Sequence, residues 1–118
     1  MIVCVATTPE GDVGGGWGRA DQVAIARVTG GRIDAWQEIE TGWNALHDQG
    51  TEGSHHARIA RFLREHEVQC VVAGHMGPGM QQMLGQMGIS VVMGAQGSAR
   101  DAAVAAASVT AASGGGQA

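Results

Sequence analysis

The chain has no tyrosine and one phenylalanine, and its three tryptophans bring the aromatic share to only 3%. Stacked rings cannot carry such a core, which must be assembled from valine, isoleucine, alanine, leucine and six methionines. Charge is sparse as well, at 15% of residues with a net of −4. An acidic balance without a basic face excludes a nucleic-acid footprint. Arg58, Arg61 and Arg64 share one helical segment and read as a solvated face. No apolar run approaches the roughly 18 residues of a membrane span. Met1 leads straight into Ile2–Ala6 with no cleavable leader, which predicts a cytoplasmic protein with no membrane partner. Cys4 and Cys70 lie in apolar runs, with no CxxC or Cys/His cluster, and so read as buried thiols.

Glycine, by contrast, is abundant, at 20 of 118 residues. The chain is long enough for one domain, here residues 1–112, followed by a Gly/Ser-rich tail, residues 113–118, expected to be disordered. Its centre is the stretch Val71-Val72-Ala73-Gly74-His75-Met76-Gly77-Pro78-Gly79-Met80. A buried strand over Val68–Ala73 runs into a glycine turn, and Pro78 suits a first helical position, where its missing N–H has no partner to lose. Met80, Met83, Leu84 and Met87 follow at the i, i+3, i+4, i+7 spacing of one helix face, and Gly88 closes it. A strand, a glycine turn and a helix N-terminus place free N–H groups and a positive dipole end together, a setting for an anion. The plainer alternative is a βα turn whose glycines only permit tight packing.

Around that centre, Ile2–Ala6 is a continuous apolar run, the mark of a strand covered on both faces. Thr7–Gly16 is a loop, Val23–Thr29 a second strand, and Gly30-Gly31 joins it to Arg32–Glu40 as a hairpin. The alternation of Arg32–Glu40 makes it half exposed and near an edge. Thr41–Ser54 lacks periodicity and reads as a long loop. Ser54 is expected to cap a helix over His55–His66 with Ile59, Phe62 and Leu63 inward. Ile89–Met93 is a fifth strand, Gly94–Ser98 a second glycine turn, and Ala99 to Thr110 an alanine-rich helix begun by Ser98 and Asp101 in a capping-box spacing. The order β-β-β-α-β-α-β-α predicts an α/β fold, a mixed five-stranded sheet with three helices.

Trp17-Gly18-Arg19-Ala20, Gly74-His75-Met76-Gly77-Pro78 and Gly94-Ala95-Gln96-Gly97 occur in the order of a known family. The chain resembles, over about residues 1–108, the nitrogenase iron–molybdenum-cofactor accessory domains of the NifX and NifB C-terminal type, with Trp17 where they usually carry Phe. The resemblance implies a ribonuclease H-like fold. It also implies non-catalytic carriage of an iron–sulfur or iron–molybdenum type cluster, with nitrogenase-type or cluster-assembly proteins as partners. A monomer or weak dimer is the expected working form.

Several residues are candidates for such a site. His75 sits in the glycine turn at the carboxyl end of a strand, where ligands of open α/β sheets collect. His55 and His56 begin a helix, where the dipole favours neutral imidazole, the form that ligates metal. His47 lies in the long loop. Arg19 offers a planar fork of donors to an anion, or else pairs with Asp12 or Asp21. Gly74, Gly77, Gly97 and Ser98 complete the set through their turns. If the first, fourth and fifth strands run parallel, the loop Thr7–Arg19 and the turns Gly74–Gly79 and Gly94–Ser98 meet at one end of the sheet. A nuclease is rejected: Ile2–Ala6, Val68–Ala73 and Ile89–Met93 carry no Asp or Glu to hold divalent ions. The remaining alternative is a module that binds a small anionic metabolite or a partner protein without metal.

Overall fold

The structure is a computed structural model describing the backbone of residues 1–115 and side chains up to residue 110. Its elements are β1 (Ile2–Ala6), β2 (Gln22–Thr29), β3 (Arg32–Glu40), α1 (Trp43–His47), α2 (Glu52–Glu65), β4 (Cys70–Val72), α3 (Pro78–Gln86), β5 (Ser90–Val92) and α4 (Ala99–Gly115). The sheet has the order β3-β2-β1-β4-β5. β1 pairs antiparallel with β2, and β2 with β3, while β1, β4 and β5 run parallel. The expected α/β class and mixed five-stranded sheet are present.

Alternation along β1 and β4 divides the core between the two faces of the sheet. Cys4, Ala6, Val71 and Ala73 face Ile59 and Leu63 of α2, Met80 and Leu84 of α3, and the rings of Trp17 and Trp43. Val3, Val5, Cys70 and Val72 face α4 through Ala99, Ala103, Ala106 and Ala107. Alanine is what lets α4 lie close against the strands. Gly30 and Gly31 both have positive φ, 57° and 78°, the requirement of the two-residue turn whose twist matches a hairpin.

Among the described residues four helices form rather than three. The additional helix, α1, lies within the stretch expected to be loop. It starts from Gly42 in the left-handed region, φ 63°, and is anchored by buried Trp43. α2 begins earlier than expected: Thr51 is the N-cap and Ser54 the third helical residue, each side chain bonding the other's backbone N–H. Serine serves here in the role that Glu or Gln usually fills in a capping box. β4 and β5 are shorter than the apolar runs containing them, because Val68, Ala73, Ile89 and Met93 lie outside the strands, in the connecting segments. α3 begins with Pro78 as expected. α4 extends to Gly115, past Thr110, and residues 116–118 of the proposed tail lie outside the described residues. Among the described residues no helix is long and apolar enough to cross a membrane.

Candidate functional site

The parallel run of β1, β4 and β5 brings their carboxyl ends together, and the loops that leave them are joined through the main chain. Gly74 N–H donates to Gly14 O (3.1 Å), His75 N–H to Gly15 O (2.6 Å) and Trp17 N–H to His75 O (2.9 Å). Val13 N–H reaches Gly97 O (2.8 Å), Ala99 N–H reaches Gly11 O (2.9 Å) and Gly94 N–H reaches Gly74 O (3.0 Å). The three glycine segments therefore do meet at one end of the sheet. Gly74 is required by proximity: a Cβ there would lie 3.1 Å from Gly15 O and 3.2 Å from Gly15 Cα.

The same contacts change the expected anion site. The N–H groups of Gly74, His75 and Ala99 do not stand open to a ligand, since loop carbonyls already accept from them. Ser98 Oγ accepts the Asp101 N–H (3.2 Å) and so caps α4. The concavity at this end lies instead between the first loop and the β2–β3 hairpin. It is a cleft of about 680 Å³ lined by Thr7, Thr8, Gly14, Gly15, Gly16 and Arg19, among others. Thr7 is buried, and its hydroxyl accepts from Gln22 Nε2 (3.0 Å).

Arg19 borders this cleft and is held from the α1 side. Its guanidinium donates to Asn44 Oδ1 (3.3 Å) and Asp48 Oδ1 (3.5 Å), so Asp48, and neither Asp12 nor Asp21, is its ion-pair partner. With side chains 51% and 71% exposed, the pair contributes little to stability.

The histidines fall into different settings. His55 is buried, with Nε2 2.7 Å from Gly18 O and Nδ1 2.7 Å from Arg58 Nη1. A carbonyl accepts and a guanidinium donates, so the ring is the neutral Nε2–H form and both nitrogens are engaged. A metal at His55 would have to displace one of these partners. His47 lies edge-on to His55, with centroids 5.2 Å apart, and its Nδ1 is 3.4 Å from Asp48 Oδ1. His56 is half-buried with Nε2 3.7 Å from Glu52 Oε1, and it fills the space beside Gly79 at the start of α3. His75 has an exposed side chain, and its backbone lies against Gly15 and Gly16, two residues of the cleft wall. His47 and His55 are thus brought together, while the described residues contain no group of three His, Cys, Asp or Glu side chains placed to hold a metal ion.

The thiols supply no ligand. Burial pushes Cys4 far above the ordinary thiol range, with a smaller push from Cys70; burial also raises Cys70, against a lowering hydrogen bond from Thr110. Both remain protonated and, as expected from their apolar runs, sit in the core. Trp17 is fully buried and its Nε1–H has no partner, although the ring packs edge-on against Trp43 at 5.2 Å. Asn44 and Asp48 are site residues that the sequence reading missed. Trp43 and Leu46, three apart after Gly42, are the available signal of the helix that carries them.

The fold and its joined loops define a small α/β domain, organised around the carboxyl ends of three parallel strands. The family described as dinitrogenase iron–molybdenum cofactor matches residues 1–109, and the chain belongs to that family. The crystal structure of PH0822 is similar at a TM-score of 0.69 and 19% identity, covering 94% of this chain and 90% of that one. The apo form of the orange protein from Desulfovibrio gigas is similar at 0.66 and 20% identity, covering 97% and 88%. At these identities the likeness is one of fold. Among curated protein sequences, none matches this chain.

Proposed function

We propose that this protein is a non-catalytic carrier or accessory protein of the cytoplasm. Its cargo is an iron–sulfur-type cluster, the iron–molybdenum cofactor or a precursor resembling it, passed between cluster-assembly proteins. The observation that carries the reading is the family match across residues 1–109. The strand order β3-β2-β1-β4-β5, with β1, β4 and β5 parallel, accords with a ribonuclease H-like architecture put to binding.

The site chemistry suits cargo that must leave again. Buried, protonated thiols cannot anchor iron as thiolates, so the protein's hold falls to imidazole and to charge. His75 is the exposed imidazole of the loop end, and Arg19 is the cation at the cleft, where it attracts an anionic cluster. Gly74, Gly77, Gly97 and Ser98 shape the turns around them. His47, His55 and His56 serve as supports on α1 and α2, with His55 holding the Gly18 carbonyl next to Arg19.

Anaerobic titration with isolated iron–molybdenum cofactor tests the proposal. Binding should produce a charge-transfer band that His75→Ala removes and Arg19→Ala weakens. A second reading, a module for a small anionic metabolite with no metal, is favoured by the engagement of both His55 nitrogens. Failure of the cofactor to bind, together with binding of a simple oxyanion that Arg19→Ala abolishes, would decide for that reading.

A further inference from the structure

Arg19 is the one cation among the described residues that line the cleft, and it shares that lining with two exposed carboxylates, Asp21 and Glu40. The pull of the cleft on an anion therefore depends on how much of the Arg19 charge is left uncompensated. Much of it is compensated from outside. Nη1 donates to Asn44 Oδ1 at 3.3 Å and Nη2 to Asp48 Oδ1 at 3.5 Å, and neither partner lines the cleft. Each arm of the fork that would grip an oxyanion thus already has an acceptor, one on α1 and one on the residue that ends it.

The backbone on either side of Arg19 arranges this hold. His55 Nε2 donates to Gly18 O (2.7 Å) just before it, and Thr41 Oγ1 and Trp43 N–H both donate to Ala20 O (2.7 and 3.1 Å) just after it. The segment that carries Arg19 and the start of the helix that carries its partners are therefore one unit, and Asp48 stays within reach of the guanidinium. The contact is nonetheless easily broken, since both side chains are more than half exposed and water screens the pair. Asp48 also has a second neighbour: the same Oδ1 lies 3.4 Å from His47 Nδ1. A carboxylate that is near, weakly held and provided with another partner is suited to compete for Arg19, not to brace it.

We infer that Asp48 is an internal competitor for the anion that Arg19 binds. The inference rests on the reading of Arg19 as the cation for an anionic cargo, and it adds the means of release. An arriving anion takes over the Nη2 donor from Asp48, whose carboxylate keeps His47 as its partner. When the anion departs, the carboxylate returns to Arg19. Asp48 thereby lowers the affinity of the cleft, while neutral Asn44 directs the fork without opposing its charge.

Inorganic phosphate serves as the probe, titrated into the full chain at fixed pH and ionic strength. Heteronuclear NMR follows the Arg19 Nε–H and the Gly15 and Gly16 amides of the cleft wall. Asp48→Asn keeps an amide oxygen in place of the carboxylate and removes only the charge. It should bind phosphate about fivefold more tightly than wild type, the change that ~1 kcal/mol produces and about what one charge contributes at about 4 Å in water. Asp34→Asn makes the same change of net charge near the Gly30-Gly31 turn, at the far end of β3, and should leave the affinity unchanged. Asn44→Asp sets a second carboxylate on Arg19 and should weaken binding by a similar factor. Adding Arg19→Gln to Asp48→Asn should abolish the phosphate-induced shifts. All four positions are exposed, and urea unfolding verifies each fold. The inference is overturned if Asp48→Asn binds no more tightly than Asp34→Asn, or if its gain survives Arg19→Gln. It is also overturned if phosphate shifts none of these signals in wild type and Asp48→Asn alike, a result that leaves cluster carriage through His75 standing. Failure of the iron–molybdenum cofactor to bind, with phosphate responding as expected, instead removes the cluster reading and keeps the inference.

Discussion

Replacing Gly74 with alanine adds one carbon where the first loop and the β4–α3 turn are closest. The new Cβ would stand 3.1 Å from Gly15 O, 3.2 Å from Gly15 Cα and 3.3 Å from Gly14 O, all backbone atoms. Relief requires the loop to retreat by a few tenths of an ångström. It is held on several sides, by Gly14 N–H on Ala6 O (2.7 Å), Val13 N–H on Gly97 O (2.8 Å) and Trp17 N–H on His75 O (2.9 Å). Retreat would also stretch the Gly74 and His75 bonds to Gly14 and Gly15. Overpacking against a constrained neighbour costs about 1–3 kcal/mol. Gly85, inside α3, provides the matched control: its φ is not positive, and an added Cβ meets nothing within 4 Å. There the same substitution should stabilise by roughly 0.5–1 kcal/mol through helix propensity and reduced chain entropy. Urea unfolding followed by tryptophan fluorescence measures both. The expected outcome is opposite signs: a lower urea midpoint for Gly74→Ala and a higher one for Gly85→Ala at unchanged slope. If Gly74→Ala proves as stable as wild type, the loops yield easily and the rigid-loop argument is wrong.

Two further predictions concern the core. The chain contains neither lysine nor tyrosine, so its thiols dominate side-chain titration above pH 8.5. Burial raises both folded-state thiols above the ordinary 9.0, so above about pH 9 the unfolded chain binds fewer protons than the folded one. Stability should be intact below that pH and fall as pH rises, by about 1.4 kcal/mol per pH unit for Cys4, with Cys70 adding to the fall in the same direction. Urea midpoints between pH 8 and 10.5 check this, and a slope unchanged in the Cys4→Ala/Cys70→Ala double variant would refute it. His55→Ala removes a buried ring that bonds Gly18 O and Arg58; about 1–3 kcal/mol should be lost for the stranded polar groups alone. A loss below about 0.5 kcal/mol in the same assay would show that the ring does not position the Gly18 segment.

The sheet was legible because its signals are local and redundant. Ile2–Ala6 is apolar at every position, Gly30-Gly31 specifies its own turn, and Pro78 with the methionine spacing specifies α3. The parallel placement of β1, β4 and β5 then follows from the helices that connect β4 and β5 and from the burial of β1. α1 was missed because five residues give no period to read, and its stability comes from Trp43 packing on Trp17 and Phe62, remote in sequence. Thr51 was passed over as a cap because Ser54 is itself a good one. The site was less legible for a physical reason. Glycine turns reveal where N–H groups are free of local partners, but their actual acceptors here are carbonyls dozens of residues away. The tie of Arg19 to Asp48 likewise depends on α1 folding back over the first loop.

The main-chain joining of the three loops also bears on how this domain tolerates change. N–H and C=O groups are common to nearly every residue, so a scaffold held by them places few demands on side chains. Gly74 is constrained by the room it leaves and Thr8 by its hydroxyl, which accepts the Asp12 N–H (3.2 Å), whereas the His75 side chain is exposed. The exposed side chains at this end of the sheet can therefore change while the backbone that carries them stays where it is.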